Sequence, residues 1–162
     1  MEINFITLDP MKIRPATKQD LPHIIKMIAN DELGRLREEF QDPLPQHYYD
    51  AFDLIDQDLN QELVVMVSAE NEIIGTLQLT FVQYLTYKGG IRAQIEAVRV
   101  REDQRGKGTG KVLFKWAIKR SKQKGAHLLQ LTTDKKRLEA LNFYLKLGFK
   151  ATHEGMKMHF EL

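Results

Sequence analysis

The chain contains no cysteine, and this absence removes several kinds of chemistry. Disulfides, thiolate metal ligands and a cysteine nucleophile are excluded, and the composition fits a reducing compartment. Long apolar runs are also missing, since the longest, residues 63–67, is far too short to cross a bilayer. The first residues lack the basic start and apolar core of a secretion signal. We therefore expect a cytoplasmic protein that does not contact membranes.

Motifs for hydrolytic and metal-dependent catalysis are missing as well. Neither of the two serines, Ser68 and Ser121, lies in a G-x-S-x-G motif. The histidines show no H-E-x-x-H spacing, so we expect no metal site.

Positive and negative charges are nearly balanced, since the net charge is only +2 at neutral pH. Basic residues nevertheless cluster between positions 99 and 124. Such a run suits either a phosphate pocket beside a solvated helix face or a nucleic-acid footprint. It lacks interleaved aromatic residues for base stacking and matches no DNA- or RNA-binding motif. We favour the first interpretation and expect no nucleic-acid partner.

The chain does have enough apolar residues for one core. With 162 residues, 43% of them hydrophobic, it fits a single domain. Residues 1–10 end in Asp9-Pro10 and are predicted to be an N-terminal extension, so the domain proper spans residues 11–162. The apolar spacing predicts the following elements in chain order: a strand at 12–15, a helix starting at 17–20, a short helical piece at 31–40, a helix at 48–59, a hairpin of strands 63–67 and 73–82, a strand at 91–101, a helix at 108–124, a strand at 127–133, a helix ending at Gly148, a strand beginning at Phe149, and a last strand at 156–162.

The strand at 91–101 runs into a glycine-rich turn and then into a helix. Glycines at 106, 108 and 110 leave the main chain accessible, so consecutive N–H groups can point at one anion. A helix that starts there adds the positive end of its dipole. We call residues 105–111 the glycine turn and predict that it binds phosphate groups.

The glycine spacing excludes two common phosphate loops. For the G-x-x-x-x-G-K-[S/T] loop, Arg105 stands where the first glycine belongs and Val112 where the magnesium-binding hydroxyl belongs. For the dinucleotide motif G-x-G-x-x-G, the third glycine would fall on Leu113. What remains is R-x-x-G-x-G, from Arg105 to Gly110.

A second motif lies some thirty residues downstream of the turn. Residues 140–149 read A-x-x-F-Y-x-x-x-G-F, a helix that presents Phe143 and Leu147 to the core with Tyr144 beside them. Gly148 closes this helix. A phenol is a fair acid for a thiolate because its reference pKa is about 10 and it stays protonated at neutral pH.

Together the two motifs resemble the GNAT superfamily of acetyl-CoA-dependent N-acetyltransferases, and the resemblance covers residues 11–162. In that family R/Q-x-x-G-x-G/A holds the pyrophosphate of coenzyme A, and the tyrosine of the second motif protonates the departing thiolate. The resemblance implies an α+β fold with a mixed, mostly antiparallel sheet of about seven strands flanked by about four helices. It also implies an acyltransferase that moves an acetyl group from acetyl-CoA directly to a primary amine, and it implies a homodimer.

The resemblance assigns site residues one by one. Tyr144 is the expected acid and Glu96 the expected base, which takes a proton from the amine directly or through water. The predicted acetyl-CoA contacts are Val98, Val100, Arg105, Gly106, Lys107, Gly108, Thr109, Gly110, Lys111 and Arg137. The main chain near Val98 and Val100 would pair with pantetheine. Arg137 stands where many family members carry an asparagine that helps to hold pantetheine, so we expect either Arg137 or Lys136 to meet coenzyme phosphates instead.

Each catalytic assignment has a plainer alternative. Alternation along the strand puts Glu96, Val98 and Val100 on one face, and a buried carboxylate there must be neutral, paired or solvated. Glu96 is then either the base or a partner of Arg92 or Arg99. Likewise, Tyr144 is either the acid or a core tyrosine with a satisfied hydroxyl.

The acceptor is the least determined part. We expect a small amine, with two alternatives: an acetyltransferase acting on protein amines, or a domain that binds acetyl-CoA as a sensor without turnover. Charged residues Arg35, Arg37, Glu38 and Glu39 are either substrate contacts or a solvated face.

Overall fold

The structure is a computed structural model that describes residues 11–31 and 34–160. The predicted extension at residues 1–10 lies outside the described residues. The described part contains five strands and five helical segments, apart from three 3-10 turns. In chain order they are β1 (Lys12–Pro15), α1 (Leu21–Ala29), α2 (Gln46–Gln57), β2 (Gln61–Val67), β3 (Ile73–Gln83), α3 (Thr86–Gly89), β4 (Ile91–Val100), α4 (Thr109–Gln123), β5 (Ala126–Leu131) and α5 (Leu138–Lys146).

The strands form one sheet in the order β1-β2-β3-β4-β5. The first three pairs are antiparallel and the pair β4–β5 is parallel. A parallel pair needs a crossover, and α4 provides it. The glycine turn therefore follows the C-terminal end of β4 and runs into the start of α4. The predicted mixed and mostly antiparallel α+β sheet is confirmed.

Each face of the sheet is covered by helices, and β2 shows how the sequence produces this. Val64 and Met66 belong to a core cluster that includes Phe114 of α4. Val65 and Val67 belong to a second cluster that includes residues of α1 and α2. A strand covered on both faces is apolar at successive positions, which explains the uninterrupted apolar run of residues 63–67.

The pairing of β4 with β3 is interrupted by a bulge. Glu96 of β4 faces Gln78 of β3. Three residues further on, Arg99 faces Thr76, which is only two residues from Gln78. Two residues of β4 therefore lie opposite one residue of β3. One of them, Ala97, has a φ of +52°, a left-handed conformation found at one type of bulge.

The bulge changes which side chains face the core. Before it, Ile95 packs into the cluster beneath α4, and after it Val98 and Val100 pack against the same cluster. Glu96 and Arg99 consequently lie on the opposite face. The prediction that Glu96 shares a face with the two valines is wrong, because simple alternation does not count the extra residue.

The described part contains five strands rather than the predicted seven. The predicted strand at Phe149 is not formed, although Phe149 packs against Phe114. The predicted last strand, 156–162, has no strand conformation over its described residues 156–160, and its last two residues lie outside the described part. Met156 and Phe160 are 94% and 79% exposed. Alternation specifies a strand only where a sheet edge pairs with it.

Four predicted helices are confirmed as α1, α2, α4 and α5, whereas the helical piece predicted at 31–40 is only a 3-10 turn, Gly34–Leu36, over its described residues. The structure has five helical segments where about four were expected. The additional one is α3, a short turn in which Tyr87 and Lys88 have φ values of +53° and +59°. No helix of the described residues is long and apolar enough to cross a membrane.

Candidate active site

The glycine turn has the backbone that its glycines predict. Gly106 and Gly108 have φ values of +74° and +87°, which L-residues adopt only with strain. A Cβ atom added at either position would meet nothing within 4 Å. These glycines are therefore required by backbone conformation, and the space in front of them is open to a ligand.

The N-terminus of α4 is left open by its own sequence. Gly108 occupies the N-cap position, no side chain of the described residues caps the helix, and the first turn carries no acid. The first N–H groups of a helix need partners, and an anion can supply them. Arg105, Lys107 and Lys111 are exposed around this end. The arrangement fits a phosphate group.

The two sequence motifs meet in the structure. A Cβ atom added at Gly110 of the turn would lie 3.5 Å from Cζ of Phe143 in α5. Phe143 in turn packs edge-on against Phe114 of α4, with ring centroids 5.4 Å apart. Residues about thirty positions apart in the sequence thus form one wall.

The C-terminal half of β4 has an open edge. Pairing with β5 extends from Ile91 to Ile95, which faces Leu131, the last residue of β5. Beyond Ile95, β4 is paired only with β3 in the described part of the chain. The strands part at this point, and Val98 and Val100 lie along the free edge.

Tyr144 lies in α5 among aromatic rings. Its ring centroid is 5.4 Å from that of Phe114 and 6.2 Å from that of Phe149. Burial raises the pKa of Tyr144 above its ordinary value, while the positive charges of Arg137 and Arg99 act in the opposite direction. The phenol therefore remains protonated at neutral pH, as an acid must.

Glu96 is exposed on the face of β4 opposite to the core beneath α4. Among the described residues, no ion pair to Glu96 is present; Arg99 pairs with Asp31 instead. Arg92 stacks over the ring of Tyr84 at 5.2 Å. The proposed structural pairing of Glu96 with either arginine is thus not formed, and its role as a base stays a prediction.

Three charged residues form a cluster that the sequence did not indicate. Asp31 follows α1, Arg99 lies in β4 and Arg137 precedes α5. Asp31 Oδ2 is 3.3 Å from Arg99 Nη2, and Asp31 Oδ1 is 2.7 Å from Arg137 Nη2. The prediction that Arg137 contacts coenzyme phosphates stays a prediction. No local pattern could have revealed a cluster whose members are 68 and 106 positions apart.

Of the other predicted substrate contacts, Arg37 adds its positive charge to the surroundings of Arg99. Glu38 accepts a hydrogen bond from the Tyr48 hydroxyl at 3.1 Å. Tyr84 and Tyr87 gather around His127, near the N-terminal end of β4, with Tyr87 stacked on the imidazole at 4.6 Å. That end of β4 is opposite to the glycine turn, so the two tyrosines pack around His127 away from the candidate active site.

A cavity of about 870 Å³ opens beside the glycine turn. Val100 and Arg105 line it on one side, and His23 and Lys26 of α1 line it on the other. Neither Glu96 nor Tyr144 lines this cavity. Within the part of the chain that is described, no group of three or more His, Cys, Asp or Glu residues could hold a metal ion.

The chain matches known proteins along most of its length. Residues 29–149 match the model of the acetyltransferase (GNAT) family. The chain is 28% identical to the aminoalkylphosphonate N-acetyltransferase of Salmonella typhimurium over 144 residues, which are 88% of this chain and 86% of that protein. It is 27% identical to the L-methionine sulfoximine/L-methionine sulfone acetyltransferase of Pseudomonas paraeruginosa over 143 residues, 85% of this chain and 79% of that protein.

A solved structure shows the same fold at higher identity. A crystal structure described as a transcriptional regulator from Bacillus halodurans superimposes with a TM-score of 0.89 at 54% identity, over 93% of this chain and all of that one. The chain belongs to the GNAT acetyltransferase family, as the match over residues 29–149 shows. The family resemblance and the enzyme class expected from the sequence are confirmed.

Proposed function

We propose that this acetyltransferase moves an acetyl group from acetyl-CoA to a primary amine of a small molecule by direct transfer. The observation that carries the proposal is the position of Tyr144. This half-buried phenol packs against the same core cluster as Val98 and Val100 of β4. It therefore lies near the part of β4 whose edge is free.

The glycine turn is proposed to bind the donor. The uncapped N–H groups of α4 and the side chains of Arg105, Lys107 and Lys111 would hold the pyrophosphate. The main chain of Val98 and Val100, on the edge that β5 leaves free, would pair with the pantetheine amides as an added strand. The open space in front of Gly106 and Gly108 supports this assignment.

The chemical step requires one base, one acid and one polarising donor. Glu96 would accept a proton from the amine, directly or through water, and its exposure supports access to solvent. The amine nitrogen then bonds to the thioester carbon, whose oxygen is polarised by a main-chain N–H near Val98. The C–S bond breaks, and Tyr144 gives its proton to the sulfur. Burial raises the pKa of Tyr144, so the phenol still carries its proton when the thiolate departs.

A small amine is the acceptor we favour. The two curated relatives are named for acetylation of aminoalkylphosphonate and of methionine sulfoximine or sulfone, all of them small amines. A cytoplasmic location and a homodimer stay predictions.

A second candidate is a domain that binds acetyl-CoA and regulates without turnover. It is favoured by the 54% identical structure, which is described as a transcriptional regulator. The exposed Glu96 and the protonated Tyr144 support the enzymatic alternative.

An amine screen separates these candidates. Purified protein is mixed with acetyl-CoA and a panel of small amines and lysine-containing peptides, and release of the free coenzyme thiol is followed. We expect thiol release with at least one small amine. Release with peptides alone would favour protein amines as acceptors. Acetyl-CoA binding in a calorimeter without thiol release for any amine would favour the sensor.

A further inference from the structure

Arg99 occupies an unusual environment for a guanidinium. Its side chain is 13% exposed, on the face of β4 that also carries Glu96. Nη1 donates to the Val98 carbonyl at 2.7 Å, and Nη2 reaches Asp31 at 3.3 Å. The Nε atom is buried and has no hydrogen-bond partner in the described structure. A buried donor without a partner is costly, so this atom points to a missing acceptor.

Among the described residues, the ion-pair partner of Arg99 does not balance its charge. Asp31 is shared with Arg137, to which it makes the shorter contact, 2.7 Å. Two guanidinium groups therefore share one carboxylate, and one positive charge among these three residues is unmatched. Burial lowers the pKa of Arg99; Asp31 opposes this shift, and the charges of Arg137 and Arg37 add to it. Because a guanidinium stays protonated, the result is a positive potential.

This positive potential lies beside the proposed chemistry. The positive charges of Arg99 and Arg137 both act to lower the pKa of Tyr144. Glu96 is on the same face of β4 as Arg99, and their partners on β3 are two residues apart, which corresponds to about 7 Å along the sheet. A proton acceptor for the amine and donors for an anion thus face the same space.

We propose that Arg99 and Arg137 bind an oxyanion carried by the acceptor, so that the acceptor is a small amine with a phosphonate or carboxylate group a few carbon atoms from the nitrogen. The inference rests on the proposed acetyl transfer and names its substrate class. A planar guanidinium matches two oxygens of such a group, and Nε with one Nη supplies that geometry. Asp31 holds the arginines when no acceptor is bound, and the acceptor oxyanion supplies the partner that Nε lacks.

Matched acceptors test the proposal. The initial rate of thiol release is measured with 2-aminoethylphosphonate, with β-alanine and with the uncharged propylamine. We expect kcat/KM for at least one anionic amine to exceed that for propylamine by about tenfold or more, because charge-assisted hydrogen bonds are lost in the neutral compound. The preferred anion identifies phosphonate or carboxylate. Equal values for all three amines would overturn the anion site while leaving acetyl transfer intact.

Two variants test whether Arg137 causes the preference for anionic amines. Arg137→Ala should lower the ratio of the anionic to the neutral kcat/KM about 10- to 100-fold. Arg120→Ala is the matched control, because Arg120 is 36% exposed and pairs with Glu62 at 2.6 Å, whereas Arg137 is 37% exposed and pairs at 2.7 Å. The control should leave the ratio unchanged. A loss of acetyl-CoA affinity in Arg137→Ala, with the ratio unchanged, would place Arg137 at the coenzyme phosphates and overturn the proposal.

A binding measurement does not depend on turnover. Methylphosphonate is titrated into the protein in a calorimeter, with saturating coenzyme A present so that the glycine turn is filled. We expect binding by the unaltered protein and by Arg120→Ala, and loss of binding in Arg137→Ala and Arg99→Gln. If Arg99→Gln does not fold, Arg99→Lys replaces it and should weaken binding by losing the second donor. No binding by the unaltered protein would overturn the anion site.

The two proposals fail in different ways. Methylphosphonate binding that depends on Arg137, without acetylation of any amine, would leave the anion site standing and overturn the acetyl transfer. If propylamine is acetylated as fast as the anionic amines and methylphosphonate does not bind, the acetyl transfer would stand and the anion site would be overturned.

Discussion

The two halves of β4 differ in almost every respect. Residues 91–95 pair with β3 on one side and β5 on the other, and bury Ile95 to 3% exposure. Within the described part of the chain, residues 96–100 pair only with β3; they contain a bulge and carry an exposed Glu96 and an Arg99 whose side chain is 13% exposed. A strand paired on both edges has no main-chain groups left for a ligand. The first half therefore stabilises the sheet, and the second half offers the groups that a substrate can use.

The largest effect should come from Gly108→Asp in the glycine turn. Aspartate adds a negative charge where phosphate is proposed to bind and strains a backbone with a φ of +87°. We expect acetyl-CoA binding to be undetectable by calorimetry. Gly125→Asp is the matched control, since Gly125 has a φ of +76° and lies just past the other end of α4. Gly125→Asp should strain the backbone in the same way but still bind acetyl-CoA. Intact acetyl-CoA binding in Gly108→Asp would exclude this turn as the donor site.

Tyr144→Phe should lower kcat about 10²- to 10⁴-fold, because the sulfur loses its proton donor. Acetyl-CoA affinity should change little, since the ring and its aromatic contacts remain. Thiol release at saturating substrates measures kcat. Tyr84→Phe, at the other end of β4, is the control and should retain kcat. Equal kcat in Tyr144→Phe would remove the acid assignment.

The pH dependence gives a second check on Tyr144. An acid acts in its protonated form, so kcat is lost as pH rises through its pKa. Burial raises the pKa of Tyr144 above the phenol value of about 10. This residue should therefore cause no decline of kcat below about pH 10, and the alkaline decline above it should be missing in Tyr144→Phe.

Ile95→Ala should affect stability rather than chemistry. Ile95 is 3% exposed in the fully paired half of β4, so truncation leaves a cavity and should cost about 2–5 kcal/mol. Urea unfolding measures the loss, and Leu85→Ala, at a side chain that is 94% exposed, is the control. A loss below about 1 kcal/mol would indicate that this half of the strand is less tightly packed than its burial implies.

Local motifs were sufficient to predict the glycine turn and the helix of Tyr144. Gly106 and Gly108 were identifiable because glycine adopts such a backbone without strain and leaves the main chain accessible. The bulge was not identifiable, since it depends on how β3 pairs with β4. The last strand was predicted wrongly over residues 156–160, because alternation does not show whether an edge is available.

The arginine cluster shows the same limit at the site. Asp31 and Arg137 are 106 positions apart, and their contact exists only once α1 and α5 are placed against β4. Arg99 was considered only as a partner for Glu96. Charge pairs between distant segments follow from tertiary structure, so sequence spacing contains no information about them.

Ala97 inverts the usual substitution preferences of a strand. Valine and isoleucine are the residues that strands generally favour, yet at a φ of +52° their branched side chains collide with the backbone. Glycine and asparagine, which are poor strand formers, tolerate that conformation. A library built on strand propensity would therefore exclude the residues that suit position 97 and enrich those that strain the bulge on which the placement of Arg99 depends.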